Sequence, residues 1–237
     1  MNALLVRIAA DLSNAGGRWN SPVDGATGRF AYVAIPEGKP VRPGMEKPYG
    51  ALAPALGSFG TALPPHLCDR HMHLDPDFGH LTYGDQGERA KQIATRLCSG
   101  DWIVFYAGLA DVGQRRRLVY ALVGVYVIDR IERAVDLPPE RWDCNAHGRR
   151  ILPADAGDIV VHARPGISGR LARCIPIGHW RDRAYRVLPD VLDAWGGLSV
   201  RNGYLQRSAR LPAFADPSRF QAWFAAQQPE LLASNNP

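Results

Sequence analysis

Short continuous apolar runs, broken by glycine and proline, dominate the chain and predict buried strands with few long helices. Residues 3–9 form the first run, closed by the turn formers Ser13, Asn14, Gly16 and Gly17. Residues 30–35 form the second, stopped by Pro36. From residue 37 to 65 proline and glycine are too dense for a long regular element, so the pattern predicts an irregular arm with one short helix around residues 49–56. That arm is too apolar to be a linker. Residues 88–98 place Ala90, Ile93, Ala94 and Leu97 at helical spacing with charges between them, and Gly100 stands where a helix-ending glycine belongs. Residues 101–106 then read as a buried strand with residues 118–128 as its antiparallel partner, and Gly124 inside the partner marks a bulge or a close backbone approach. A helical patch at 139–146, strands at 157–163 and 170–175, a helix at 187–195 and a last helix opened by Asp216 and Pro217 complete the pattern. No internal repeat is visible.

Length and composition then bound the class. The 237 residues are 46% hydrophobic and 22% charged, enough for a substantial buried core and unlike a disordered or collagenous chain. No run approaches the ~20 apolar residues of a membrane span, and Arg7 interrupts the opening run too early for a signal peptide, so a soluble cytoplasmic protein is expected. Cys68, Cys98, Cys144 and Cys174 stand apart with no CxxC pair, which fits a reducing compartment and offers no zinc ribbon.

The formal charge is +5, and only Lys39, Lys47 and Lys91 are lysines, so 25 of the 28 cationic residues are arginine. Codon bias towards Arg, Ala, Gly and Pro accounts for such a composition as well as nucleic-acid recognition does. Distribution says more: residues 164–210 hold nine arginines against Asp182, Asp190 and Asp193, an excess larger than the charge of the whole chain. This segment is the expected landing place for a polyanion, with a solvated surface as the plain alternative.

Three clusters could carry chemistry. In His71-Met72-His73-Leu74-Asp75-Pro76-Asp77, an extended backbone would put His71, His73 and Asp75 on one face, close enough to share a divalent metal or a bound base. A structural turn is the third reading. Tyr204, Gln206, Arg207 and Ser208 could stack on and hydrogen-bond a base, or serve a short strand and an ion pair. The loop with Gly16, Gly17, Asn20 and Ser21 offers close backbone approach with donors and acceptors, or is a simple turn. Neither a nucleophile elbow, a zincin helix, a P-loop nor a dinucleotide fingerprint is present.

In order along the chain, Gly16-Gly17 with Asn20-Ser21-Pro22, Ile35-Pro36, His73-Leu74-Asp75-Pro76-Asp77, Thr82-Tyr83-Gly84-Asp85, Gly100-Asp101, Phe105-Tyr106-Ala107-Gly108-Leu109, Val123-Gly124-Val125-Tyr126 and Leu205-Gln206-Arg207-Ser208 resemble the family called nucleotide modification associated domain 3. The resemblance runs almost end to end. It implies a place in DNA base modification, with DNA or a modified nucleotide, and other modification proteins, as partners. His71 is not part of the family pattern, which moves weight to His73, Asp75 and Asp77. The hairpin from Gly100-Asp101 to Val123-Gly124-Val125 is also similar to the core of PUA-like barrels such as EVE and ASCH domains, which hold modified bases in an aromatic-lined pocket. The expectation is therefore one α+β domain over residues 1–237, built on a small, bent, mixed PUA-like β-barrel with peripheral helices.

Three functions stay open on the sequence. The first is recognition of a modified or flipped base in a pocket bounded by His73, Tyr83, Tyr106, Gln206 and Arg207, with no cofactor required. The second is an enzyme acting on a base or nucleotide, with Asp75 or Asp77 as general base and His73 as acid or ligand of a divalent metal. A third is an interaction subunit that docks through residues 37–65.

Overall fold

The computed structural model describes residues 1–114, 117–205 and 208–236. Strand β1 (Ala3–Arg7) is buried at four of its five positions and runs parallel to β6 (Trp102–Asp111), with Leu5 opposite Val104. A two-residue strand, β2 (Pro22–Val23), extends the same edge of β6. On its other side β6 pairs antiparallel with β7 (Leu118–Arg133), a strand of 16 residues that organises the rest of the sheet. The second half of β7 pairs with β8 (Ile159–Ala163), and its first half with β9 (Gly169–Arg181). Strands β10 (Ala184–Val187) and β11 (Leu231–Leu232) flank β9, while β5 (Thr82–Asp85) pairs with β8.

These pairings make a nine-stranded mixed sheet, accompanied by a two-stranded one of β3 (Ile35–Pro36) and β4 (Met72–His73). The sheet does not close on itself, so the expected PUA-like barrel is corrected to an open sheet in an α+β fold. The physical reason lies in β7. Its register shifts between Leu122 and Gly124 and again between Ile128 and Arg130, so it bends enough to serve two partner strands in succession without returning to β1. Gly124 permits the first bend: a Cβ there would lie 2.7 Å from Phe78 Cε1 and 2.8 Å from the Gly169 carbonyl oxygen. Bulge and close approach coincide at this position.

The core on one side of β6 and β7 is aromatic. Phe78 meets Tyr32, Phe105 and Tyr126 edge to face at 5.3–5.9 Å between ring centres. A second aromatic group joins Trp102 of β6 to Phe220 and Phe224 of the last helix. The helices, in chain order, are α1 (Ala53–Gly57), α2 (Pro65–Cys68), α3 (Gly87–Arg96), α4 (Ala146–Arg149), α5 (Pro189–Ala194) and α6 (Pro217–Ala226). Asp216 caps α6 by accepting the N–H groups of Ser218 and Arg219, with Pro217 at the first helical position. No described helix is long and apolar enough to cross a membrane.

The arginine-rich segment does not form one face. Arg170 is buried near the start of β9, whereas Arg181 closes that strand, about 35 Å further along it. Arg164 sits at the start end, bonded to Ser99, and Arg186 at the other, bonded to the carbonyls of Arg181 and Arg201. Arg207 lies outside the described residues.

Candidate metal centre

At the edge of the sheet formed by β5 and β8, three short elements bring their side chains to one point. His73 ends β4, whose pairing with β3 sets Ile35 opposite His73 and leaves Glu37 to follow directly. Asp75 lies two residues on, its Oδ1 accepting the Gly84 N–H of β5 at 2.8 Å and the Asn145 amide at 3.1 Å. His147 belongs to α4, whose N-cap is Asn145: the Asn145 Oδ1 accepts the His147 N–H at 2.8 Å. Asn145 thus fixes both the helix and the carboxylate. Gly84 is required where it stands, because a Cβ would lie 2.3 Å from His147 Cδ2.

The two imidazoles are oriented in the same way. His73 Nδ1 lies 2.6 Å from Glu37 Oε2, and His147 Nδ1 lies 2.6 Å from Asp158 Oδ1. An ionised carboxylate only accepts, so each Nδ1 carries the proton and each Nε2 presents a lone pair. Both Nε2 atoms face the same oxygen, Asp75 Oδ2, at 3.8 Å and 3.6 Å. The three donor atoms lie within 4.8 Å of one another. Arg150 closes the arrangement from behind, bonding Glu37 at 2.8 Å and approaching Asp158 at 3.6 Å.

Burial sets the electrostatics. His73 is pushed down to about 4 by burial, reinforced by His147 and Arg150 and opposed by Glu37. His147 is lowered too, by burial and Arg150 against the pull of Asp158. Burial raises the Asp75 carboxyl well above its ordinary range despite the donors on its Oδ1. Glu37 would also rise by burial, but the hydrogen bonds from His73 and Arg150 outweigh that and hold it well below. With neutral imidazoles, Glu37, Asp75, Asp158 and Arg150 together carry a net charge of −2 when Asp75 is ionised. Two nitrogen lone pairs converge on one carboxylate oxygen, an arrangement that a proton on Asp75 or a cation in its place satisfies.

The donor set fits a divalent one. Neutral imidazole nitrogens and a carboxylate oxygen suit zinc, iron or manganese, and a carboxylate behind each histidine is the usual support of a metal-ligating imidazole. An ion ~2.1 Å from each donor holds the donors ~3–3.5 Å apart, so binding draws the histidines in by tenths of an ångström on the Asp75 side and brings donors that now stand up to 4.8 Å apart closer together. Three protein ligands leave positions open for substrate or water. They open on a cavity of about 300 Å³ whose wall includes Arg7, Tyr83, Asp85, Arg89 and Arg150. Tyr83 donates to Asp85 Oδ2 at 2.5 Å, and Arg89 bonds both.

Of the residues expected from the sequence, His73, Asp75 and Tyr83 meet in this cavity. Asp77 does not: Arg149, His80 and Asn235 surround its carboxylate, and although burial opposes it, those partners bring Asp77 down to about 2. It is an anchor for the polypeptide. His71 is exposed and lines a separate cleft with Glu46 and Arg70. Asn20 and Ser21 are buried and spent on the carbonyls of Gly108 and Val33. Tyr106 is buried within β6 and does not line the cavity, and Tyr204 faces Arg186 beside β10. Ser208 accepts the Arg210 N–H. Gln206 and Arg207 lie outside the described residues. The sequence reading missed His147, Glu37, Asp158, Asn145 and Arg150; the single local signal was an asparagine just before a short helix carrying histidine.

The sequence profile of the family described as nucleotide modification associated domain 3 matches residues 2–226. The chain belongs to this family. Both His73 and His147 fall within the matched span of this nucleotide modification associated domain, as do their supporting carboxylates. No curated protein and no solved structure matches the chain.

Proposed function

We propose that this nucleotide modification associated domain, acting as one unit over residues 1–237, is an enzyme of a DNA modification system that works on a nucleobase or nucleotide at a divalent metal held by His73, Asp75 and His147. The observation that carries the reading is the convergence of two buried, neutral imidazoles, each fixed by its own carboxylate, on one buried carboxylate oxygen. Family membership supplies the context of nucleotide modification. A divalent ion would supply a Lewis acid and lower the pKa of a bound water.

The chain's own residues would do the rest. Glu37 and Asp158 hold the Nε2 lone pairs in place, Arg150 offsets the charge of both carboxylates, and Asn145 with the Gly84 N–H turns Asp75 Oδ2 towards the histidines. Tyr83 and Arg89 form a hydrogen-bonded wall with Asp85, polar enough to orient a base edge or a phosphate entering the cavity.

Metal analysis of protein purified without a chelator tests this. One equivalent of zinc, iron or manganese is expected, lost in His73→Ala and His147→Ala and kept in Asp77→Asn if that variant folds. Nucleosides from DNA incubated with the metal-loaded protein should then show a mass change that His147→Ala abolishes. Protein free of metal, with modified DNA bound better than plain DNA, would favour recognition of a modified base without chemistry.

A further inference from the structure

A second cavity, of about 290 Å³, lies between the start of β9, residues 29–31 and α1 of the arm. Its deepest cation is Arg170, only 1% exposed, whose Nη1 donates to the Phe30 carbonyl at 3.3 Å while its Nε has no partner. The other fully buried arginines behave differently: Arg149 pairs with Asp77 and Arg150 with Glu37. Among the described residues no Asp or Glu lines this cavity, and burial lowers the Arg170 guanidinium to about 10. A buried guanidinium without an anion is costly to keep.

The other walls sharpen the chemistry. Arg29 reaches the same cavity with its guanidinium 5.9 Å from the Phe59 ring, and Arg170 stands 4.8 Å from the ring of Phe30. The Asn236 side chain is held by the Tyr32 backbone with one amide N–H to spare, and Ser58 donates to the Ala55 carbonyl. The side chains able to meet a ligand are two guanidinium forks, one amide N–H and an aromatic face, which suit a group that only accepts, carried by a planar partner. We propose that this cavity binds the phosphate of a nucleotide, with Arg170 and Arg29 on the oxygens and Phe59 against the base. None of these residues lines the metal cavity, so the proposal goes beyond the function above and stands apart from it.

Calorimetric titration of chelator-treated protein with thymidine 5′-monophosphate, inorganic phosphate and thymidine tests it. The monophosphate should bind saturably, phosphate more weakly and thymidine not at all. Arg170→Met and Arg29→Gln should each weaken the monophosphate at least about tenfold, the loss expected for one charge-assisted hydrogen bond, while the metal content of both variants before chelation equals that of the wild type. Arg29 is exposed, so Arg29→Gln keeps the test sound if Arg170→Met does not fold. Absence of saturable binding, or binding untouched by Arg29→Gln and lost in His147→Ala, would overturn the proposal.

Discussion

Glycine 84 carries more of the site than its size suggests. Its N–H fixes Asp75, and its missing side chain leaves room for His147. In Gly84→Ala the new methyl must displace a buried ring held by Asp158 on a backbone fixed by Asn145, which costs about 1–3 kcal/mol as overpacking. The melting temperature should fall and metal content should fall with it; an alanine variant with wild-type values of both would mean that His147 is not held as described. His73 and Asp75 were legible in the sequence because period-two spacing keeps neighbours together. Glu37 was not, since it approaches His73 from 36 residues away through the β3–β4 pairing. His147 and Asp158 likewise reach the site only once β5 has paired with β8 and α4 has packed beside them. No local pattern encodes such a meeting.

At the level of elements, apolar runs located the long strands well and misjudged one. Residues 31–34 are fully buried yet form no strand, because the backbone N–H groups of Val33 and Tyr32 are taken by the side chains of Ser21 and Asn236. Burial was readable there; the partner was not. Gly124 was readable as a bulge, and a Cβ at that position meets the Gly169 backbone, which cannot swing aside. Gly124→Ala is expected to cost about 2 kcal/mol or more in urea unfolding, and a loss below half of that would show that β7 can relax around it. Another junction depends on Asp101, which accepts the N–H groups of Asn2 at 2.6 Å and Cys98 at 2.9 Å and so ties the start of β1 to the end of α3. Burial would raise its carboxyl, but these donors outweigh burial and lower it below the ordinary 3.8. A depressed carboxyl stabilises above its unfolded value and loses that contribution as pH falls through the folded one. Asp101→Asn should thus be less stable than wild type by about 1–2 kcal/mol at pH 7, with the gap narrowing below pH 3.8; a gap independent of pH would contradict the assignment.

Across the whole molecule, the positive charge that looked like one patch in sequence is drawn out along β9. Among the described residues the β9–β10 end gathers Arg181, Arg183, Arg186 and Arg201, enough for a DNA contact there with about four phosphates. Affinity for a short duplex should then fall about a hundredfold from 50 to 200 mM salt, and a fall beyond about ten-thousandfold would show both ends acting together. The open sheet was hidden for a related reason: a hairpin pattern reports that two strands pair, and says nothing of whether the last strand finds the first. What the global fold does deliver is the edge at β5 and β8 where two histidines and a carboxylate converge. Anomalous diffraction from crystals of the protein soaked in its native metal, collected at that metal's absorption edge, tests this most directly. The account predicts one peak about 2.1 Å from the Nε2 atoms of His73 and His147 and from Asp75 Oδ2; metal bound elsewhere, or none bound between these three atoms, would contradict it.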